Sequence, residues 1–138
     1  MKKQKLYKAI IERIDNAQQI INDEISFLDD FWYLTDRDSV KYITNHVNET
    51  LLHVYETGDD LIGDIETIIE YGWNETGINE ISSKINTIID ELDHVIEYCR
   101  GVSNVVGNTF ISSKMDETSD NLVDCITAFI NAGKHFKN

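Results

Sequence analysis

Residues 55–70 read YETGDDLIGDIETIIE, six apolar side chains and two glycines set among acids, with no basic residue. Three readings compete: a metal-binding loop, a turn between helices, or a helix that tolerates its glycines. The calcium loop fails, because an EF-hand alternates oxygen ligands and keeps glycine at its sixth position. No register starting at Asp59, Asp60 or Asp64 puts a glycine there. A turn at Thr57-Gly58-Asp59 would end one helix and cap the next. The apolar spacing, however, runs through in phase, from Leu51 and Val54 to Leu61 and Ile65, with Gly58 on the same side. The spacing therefore predicts one long helix with Gly58 on its buried side, a bend or break at Gly58 being the alternative. Glycine costs about 1 kcal/mol of helix propensity against alanine. A close neighbour or a dent in the core is expected beside it.

The same spacing extends outward along the whole chain. Leu6, Ile10, Ile14, Ala17, Ile21, Ile25, Leu28 and Trp32 recur at steps of three or four. So do Val40, Ile43, Val47, Leu51 and Val54, continuing through Gly58, Leu61, Ile65 and Ile68 to Gly72. Ile78, Ile81, Ile85, Ile88, Leu92, Val95, Cys99, Val102 and Val106 form the most regular series. Met115, Ser119, Leu122, Ile126, Phe129, Gly133 and Phe136 form the fourth. Flanking residues such as Ile11, Ile20, Ile62, Ile69, Ile89 and Ile96 widen each stripe to a globular core face. None of the four alternates as a strand does.

Boundary signals agree with four helices. Thr35 with Asp38, and Ser113 with Asp116, have the spacing of capping boxes. Gly and Asn cluster in 71–79 and 105–110, where helices commonly stop. The helices are expected at roughly 4–33, 38–72, 77–106 and 113–136. Short connections favour antiparallel neighbours. The predicted fold is all-α: one domain, residues 1–138, an antiparallel up-down-up-down four-helix bundle. The absence of proline suits uninterrupted helices.

Charge is divided unevenly. Residues 1–14 carry five basic residues against one acid, a net +4. Residues 15–97 carry twenty acids against Arg37, Lys41 and Lys84, a net −17, and residues 98–138 balance at four and four. A field of that sign repels nucleic acid and anionic membrane and attracts basic surfaces. Its plain alternative is a solvated surface that keeps a small protein soluble. No apolar run approaches the roughly 18 residues of a membrane span. The start lacks a signal peptide's apolar core and cleavage site, so a cytoplasmic protein is the expectation. Isoleucine outnumbers leucine, 20 to 8, which suggests an AT-rich genome, a hint about source and not about function.

An antiparallel hairpin centred on residues 73–76 sets Asp59 and Asp60 opposite Asp90 and Glu91. Glu56 then faces Asp93 and His94, with His53 just above. Glu91 and His94 make one Glu-x-x-His, but a di-iron site needs two such motifs and two further glutamates. With Ile85, Ile88, Leu92 and Val95 buried, Asp90, Asp93 and His94 point outward and Glu91 only flanks. A solvated acidic face is the better reading, and no metal or other cofactor is expected. The all-α nucleotide pyrophosphatases hold magnesium on a Glu-Glu-x-x-Glu face. The acid pairs Asp23-Glu24, Asp59-Asp60 and Asp90-Glu91 all lack the required third acid. A metal-dependent hydrolase of that class ranks third.

Cys99 and Cys125 are offset by about five residues, roughly 7 Å along the axis, and are expected as buried free thiols. No nucleophile elbow or glycine-rich phosphate loop occurs, and no enzyme is expected. The run FLDDFWYL, 27–34, is either an aromatic plug closing one end of the bundle or, through Phe31 and Tyr33, a patch for a partner or homodimer.

These readings converge on a small acidic binding protein. Its expected surface is Glu56, Asp59, Asp60, Asp64, Glu66, Asp90, Glu91 and Asp93, with Phe31 and Tyr33, and its expected partner is a protein with a basic site. The analogy is with small acidic phage inhibitors that mimic nucleic acid, and it rests on size and charge alone. A self-associating structural bundle is the alternative.

Overall fold

Each apolar seam folds as one helix: α1 (Lys2–Trp32), α2 (Asp38–Tyr71), α3 (Glu75–Val105) and α4 (Thr109–Gly133). The structure is a computed structural model that describes residues 2–32, 38–105 and 109–136. Within these it excludes the side chains of Lys2, Phe31, Trp32, Asp38, Ser39, Val40, Ile43, Val105, Thr109 and Ile111. No strand occurs among the described residues. None of the described helices is long and apolar enough to cross a membrane.

Contacts between helices run in opposite order along each neighbouring pair. Gln4 donates to Ile69 O and Gln18 to Tyr55 O, so α2 runs against α1. Asp64 pairs with Lys84 and His53 with Glu91, so α3 runs against α2. Ser103 bonds Ser112, and Ile85 packs on Gly133. Thr118 reaches Glu24 and Tyr7 stacks on Phe136, which closes α4 onto α1. The diagonal pairs α1–α3 and α2–α4 bring no two Cα atoms within 8 Å among the described residues. The result is a square, up-down-up-down four-helix bundle around one apolar core.

The third seam is buried at every described position, Ile78 through Val102. In the second, Val47, Leu51, Val54, Leu61, Ile65 and Ile68 are buried. α2 passes through Gly58 without a break. The dent expected there is filled from across the interface. A Cβ on Gly58 would fall on the amide of Gln18. That side chain, 3% exposed, donates to Tyr55 O at 2.7 Å and to Asp59 Oδ1 at 3.3 Å.

The edges depart from the expected pattern in three places. Leu6 is 39% exposed, and Tyr7, stacked 5.4 Å from Phe136, closes that end of the core. On α4 the buried stripe takes in Thr118, Cys125 and Ala132, while Ile126 and Gly133 are only half-buried. The Ser113–Asp116 capping box is not formed, because α4 begins at Thr109 and both residues lie inside it. Mutual hydrogen bonds between Ser103 and Ser112 hold the start of α4 against α3. Thr35 of the other capping box lies outside the described residues.

The α2–α3 turn explains itself from its residues. Gly72 takes φ +92°, a conformation that disfavours any side chain, and its N–H returns to Ile68 O at 2.8 Å. Asn74 Oδ1 accepts the Gly77 N–H at 2.6 Å, the bond of an N-cap to its third helical residue. The hairpin therefore pivots on Trp73. Level partners on α3 lie roughly one helical turn earlier than a centre at 73–76 gives.

Candidate interaction surface on helices 2 and 3

Burial of Leu61, Ile65 and Ile68 turns the intervening acids of α2 outward. Glu56, Asp59, Asp60 and Glu66 are exposed, and Asp64 is half-buried at the edge. On α3 the buried Ile88, Leu92 and Val95 leave Asp90 and Asp93 exposed and Glu91 half-buried. These eight acids thus occupy the outer sides of two adjacent antiparallel helices. Phe31's side chain and Tyr33, the other candidate contacts, lie outside the described residues. From the same aromatic run, Leu28 is buried and Phe27 is half-buried with Lys114 Nζ 5.9 Å from its ring centroid.

Three of the acids are committed within the molecule. Asp59 accepts from Gln18 at 3.3 Å. Asp64 pairs with Lys84 at 2.5 Å. Glu91 Oε2 lies 2.9 Å from His53 Nδ1. The hydrogen bond to Glu91 and the attraction of its charge raise the His53 pKa; burial opposes them, and the nearby Glu56 charge adds a lesser push upward. The shorter turn accounts for this pair, since it brings His53 to Glu91 rather than above it. Glu56, Asp60, Glu66, Asp90 and Asp93 make no hydrogen bond or ion pair among the described residues.

Above the His53–Glu91 pair, His46, His94 and Tyr98 gather in edge and tilted ring contacts, with centroids 4.7–6.0 Å apart. Sequence reasoning missed this cluster. Its signals were present: His46 and His53 are seven residues apart, and His94 and Tyr98 four. Both spacings keep a helical face. Among the described residues, no group of three or more His, Cys, Asp or Glu side chains is arranged to hold a metal ion.

Two further polar features lie inside the bundle. Glu24, 7% exposed, accepts from Thr118 Oγ1 at 2.9 Å and from Asn121 Nδ2 at 2.6 Å. It borders a small groove with Asp23, Phe27, Lys114 and Glu117. Ser119 Oγ is buried without a partner among the described residues. Cys99 and Cys125 are buried free thiols, and burial pushes each pKa up to about 12. Such thiols are neutral at physiological pH and poor nucleophiles.

No family model, no curated protein and no solved structure matches the chain.

Proposed function

We propose that the protein is a small acidic binding protein that works stoichiometrically and without catalysis, by docking the α2–α3 face on a basic site of a partner protein. The observation that carries this reading is the set of five exposed carboxylates outside any hydrogen bond or ion pair among the described residues: Glu56, Asp60, Glu66, Asp90 and Asp93. The one basic residue of residues 49–97, Lys84, is already held by Asp64. Rigid helices fix the carboxylates at helical spacing, so little side-chain order is lost beyond the acids themselves. Charge of one sign on such a face steers encounter and suppresses like-charged partners. Basic sites with matching rows of positive charge occur on enzymes that handle nucleic acid, where carboxylates would take phosphate positions. An inhibitor or adaptor of such an enzyme fits best.

The test compares immobilised wild-type protein with two charge-reversed forms in extract from its native cell, at low and high salt. The first form reverses Glu56, Asp60, Glu66 and Asp90 to lysine. The control reverses Asp116, Glu117, Asp120 and Asp124 on α4, which are also exposed. A partner retained by wild type and control, released by salt and lost from the first form supports the reading. Equal loss from both forms would reduce it to net charge, and retention by the first form would remove it.

A further inference from the structure

Charge is divided along the bundle as well as around it. The start of α1, the α2–α3 turn and the end of α4 share one end of the molecule. That end exposes Lys3, Lys5 and Lys8 on α1 and Lys134 just past α4. It also carries the most exposed Phe, Tyr or Trp side chains of the described chain outside Tyr42 and Phe110: Tyr71 at 78% and Trp73 at 50%. Lys3 Nζ stands 5.8 Å from the Trp73 ring centroid. Lys3, Lys5 and Lys8 form no ion pair with a carboxylate among the described residues. Glu70 and Glu75 flank the turn, so the basic surface lies on the α1 side of the two rings.

The acidic face starts close by. At 1.5 Å per residue, Glu66 lies roughly 8 Å and Glu56 roughly 22 Å up the axis from Tyr71. One molecule does not pair the two surfaces: α1 is diagonal to α3, and Lys3, Lys5 and Lys8 reach no carboxylate among the described residues. A second copy can. We propose that the lysine–aromatic end of one copy docks on the α2–α3 acidic face of another.

Charge complementarity selects this occupant. Two copies of net charge −13 repel as wholes, but the α2–α3 face of a second copy offers carboxylates of the opposite sign, on a rigid surface, to the lysine end. Lysine supplies the charge, and Tyr71 and Trp73 supply amphipathic anchors of the kind favoured at interface centres. An antiparallel, two-fold arrangement would satisfy both end-to-face contacts at once and close the assembly. The proposal rests on the reading of the α2–α3 face as a docking surface. It implies that a basic partner protein must displace a second copy to reach that face.

The test is a charge swap followed by sedimentation. One variant reverses the end (Lys3→Glu, Lys5→Glu, Lys8→Glu), and the other reverses the face (Asp60→Lys, Glu66→Lys, Asp90→Lys, Asp93→Lys). Circular dichroism first establishes that both stay folded, since exposed substitutions usually cost less than about 0.5 kcal/mol each. Wild type should exceed its monomer mass of 15.9 kDa as concentration rises at low salt, and return to it at high salt. Each variant alone should associate at least about tenfold more weakly, because its end and face then carry one sign. Their equimolar mixture should associate again, and Trp73→Ala should weaken wild type. A monomeric wild type at every concentration, or a mixture that stays monomeric, would overturn the proposal. So would end-dependent binding to phosphatidylserine vesicles or to single-stranded DNA without self-association. If self-association fails while a basic protein is still lost on face reversal and kept on end reversal, the face reading stands alone.

Discussion

Gln18 on α1 lies over Gly58 on α2, its amide occupying the space a Cβ would need and donating to the carbonyl of Tyr55. The glycine is therefore part of a helix–helix joint in which a backbone carbonyl of one helix is read by a side chain of the other. Alanine at position 58 should gain about 1 kcal/mol of helix propensity but displace the Gln18 amide, and a buried polar group left without its partner costs about 1–3 kcal/mol. Gly58→Ala is expected to destabilise wild type by about 1 kcal/mol. In a Gln18→Ala background the same change should stabilise by about 0.5–1 kcal/mol. Denaturant midpoints of the four proteins check this, and one sign in both backgrounds would refute the joint.

His53 and Glu91 supply a pH test. The folded-state pKa of His53 is raised above 6.5 by the Glu91 hydrogen bond and charge. A raised basic group stabilises the fold in full below its unfolded pKa and loses that contribution as pH rises through the folded one. The stability difference between wild type and Glu91→Gln should thus be larger near about pH 5.5 than near about pH 8. It should be small, since the His53 side chain is 59% exposed and screened. NMR titration of the His53 ring should show its pKa falling toward 6.5 in Glu91→Gln. No change there would disconnect the pair.

Inside the bundle, Thr118→Val keeps the shape of the side chain and takes away the donor to Glu24 Oε2. The expected cost is about 1–3 kcal/mol, because a buried acceptor loses its partner. In a Glu24→Leu background no acceptor is left to desert, and the same change should cost markedly less. Thermal melts of the four combinations measure the coupling, and purely additive costs would show that the bond contributes nothing specific.

The turn between α2 and α3 makes two local demands. Gly72→Ala places a side chain at φ +92° and should cost about 1–2 kcal/mol. Asn74→Ala removes the acceptor for the Gly77 N–H and should cost about 1 kcal/mol. Asn74→Asp retains the acceptor and should cost far less. If alanine and aspartate at position 74 are equally damaging, the cap is not what holds the start of α3.

How much of this was legible beforehand varied with the range of the interaction. The α2 and α3 seams could be read because burial repeats every three to four residues and needs no knowledge of the neighbour. The outward placement of Asp60, Asp90 and Asp93 followed from the same phase. Gln18 could not be read, since a polar residue beside a seam becomes buried only when a notch stands opposite it, thirty-seven or more residues away. Glu24 was visible only as half of an acid pair, because its donors Thr118 and Asn121 come from the far end of the chain. The level of His53 against Glu91 depended on the length of one turn. There the Asn74 cap starts α3 earlier than the apolar pattern does.

The two buried thiols give the bundle an internal clock. Cys99 on α3 and Cys125 on α4 sit at 0% exposure, so neither can meet an alkylating reagent while its helix is packed. Modification must then wait for an opening event. When modification outpaces reclosing, each cysteine's labelling rate counts how often its own helix leaves the core. Single-cysteine forms, Cys99→Ala and Cys125→Ala, would separate the two counts. Equal rates would mean that α3 and α4 come apart only when the whole bundle does. Faster labelling at Cys125 would mean that the last helix peels away first, without adding any probe that the native chain lacks.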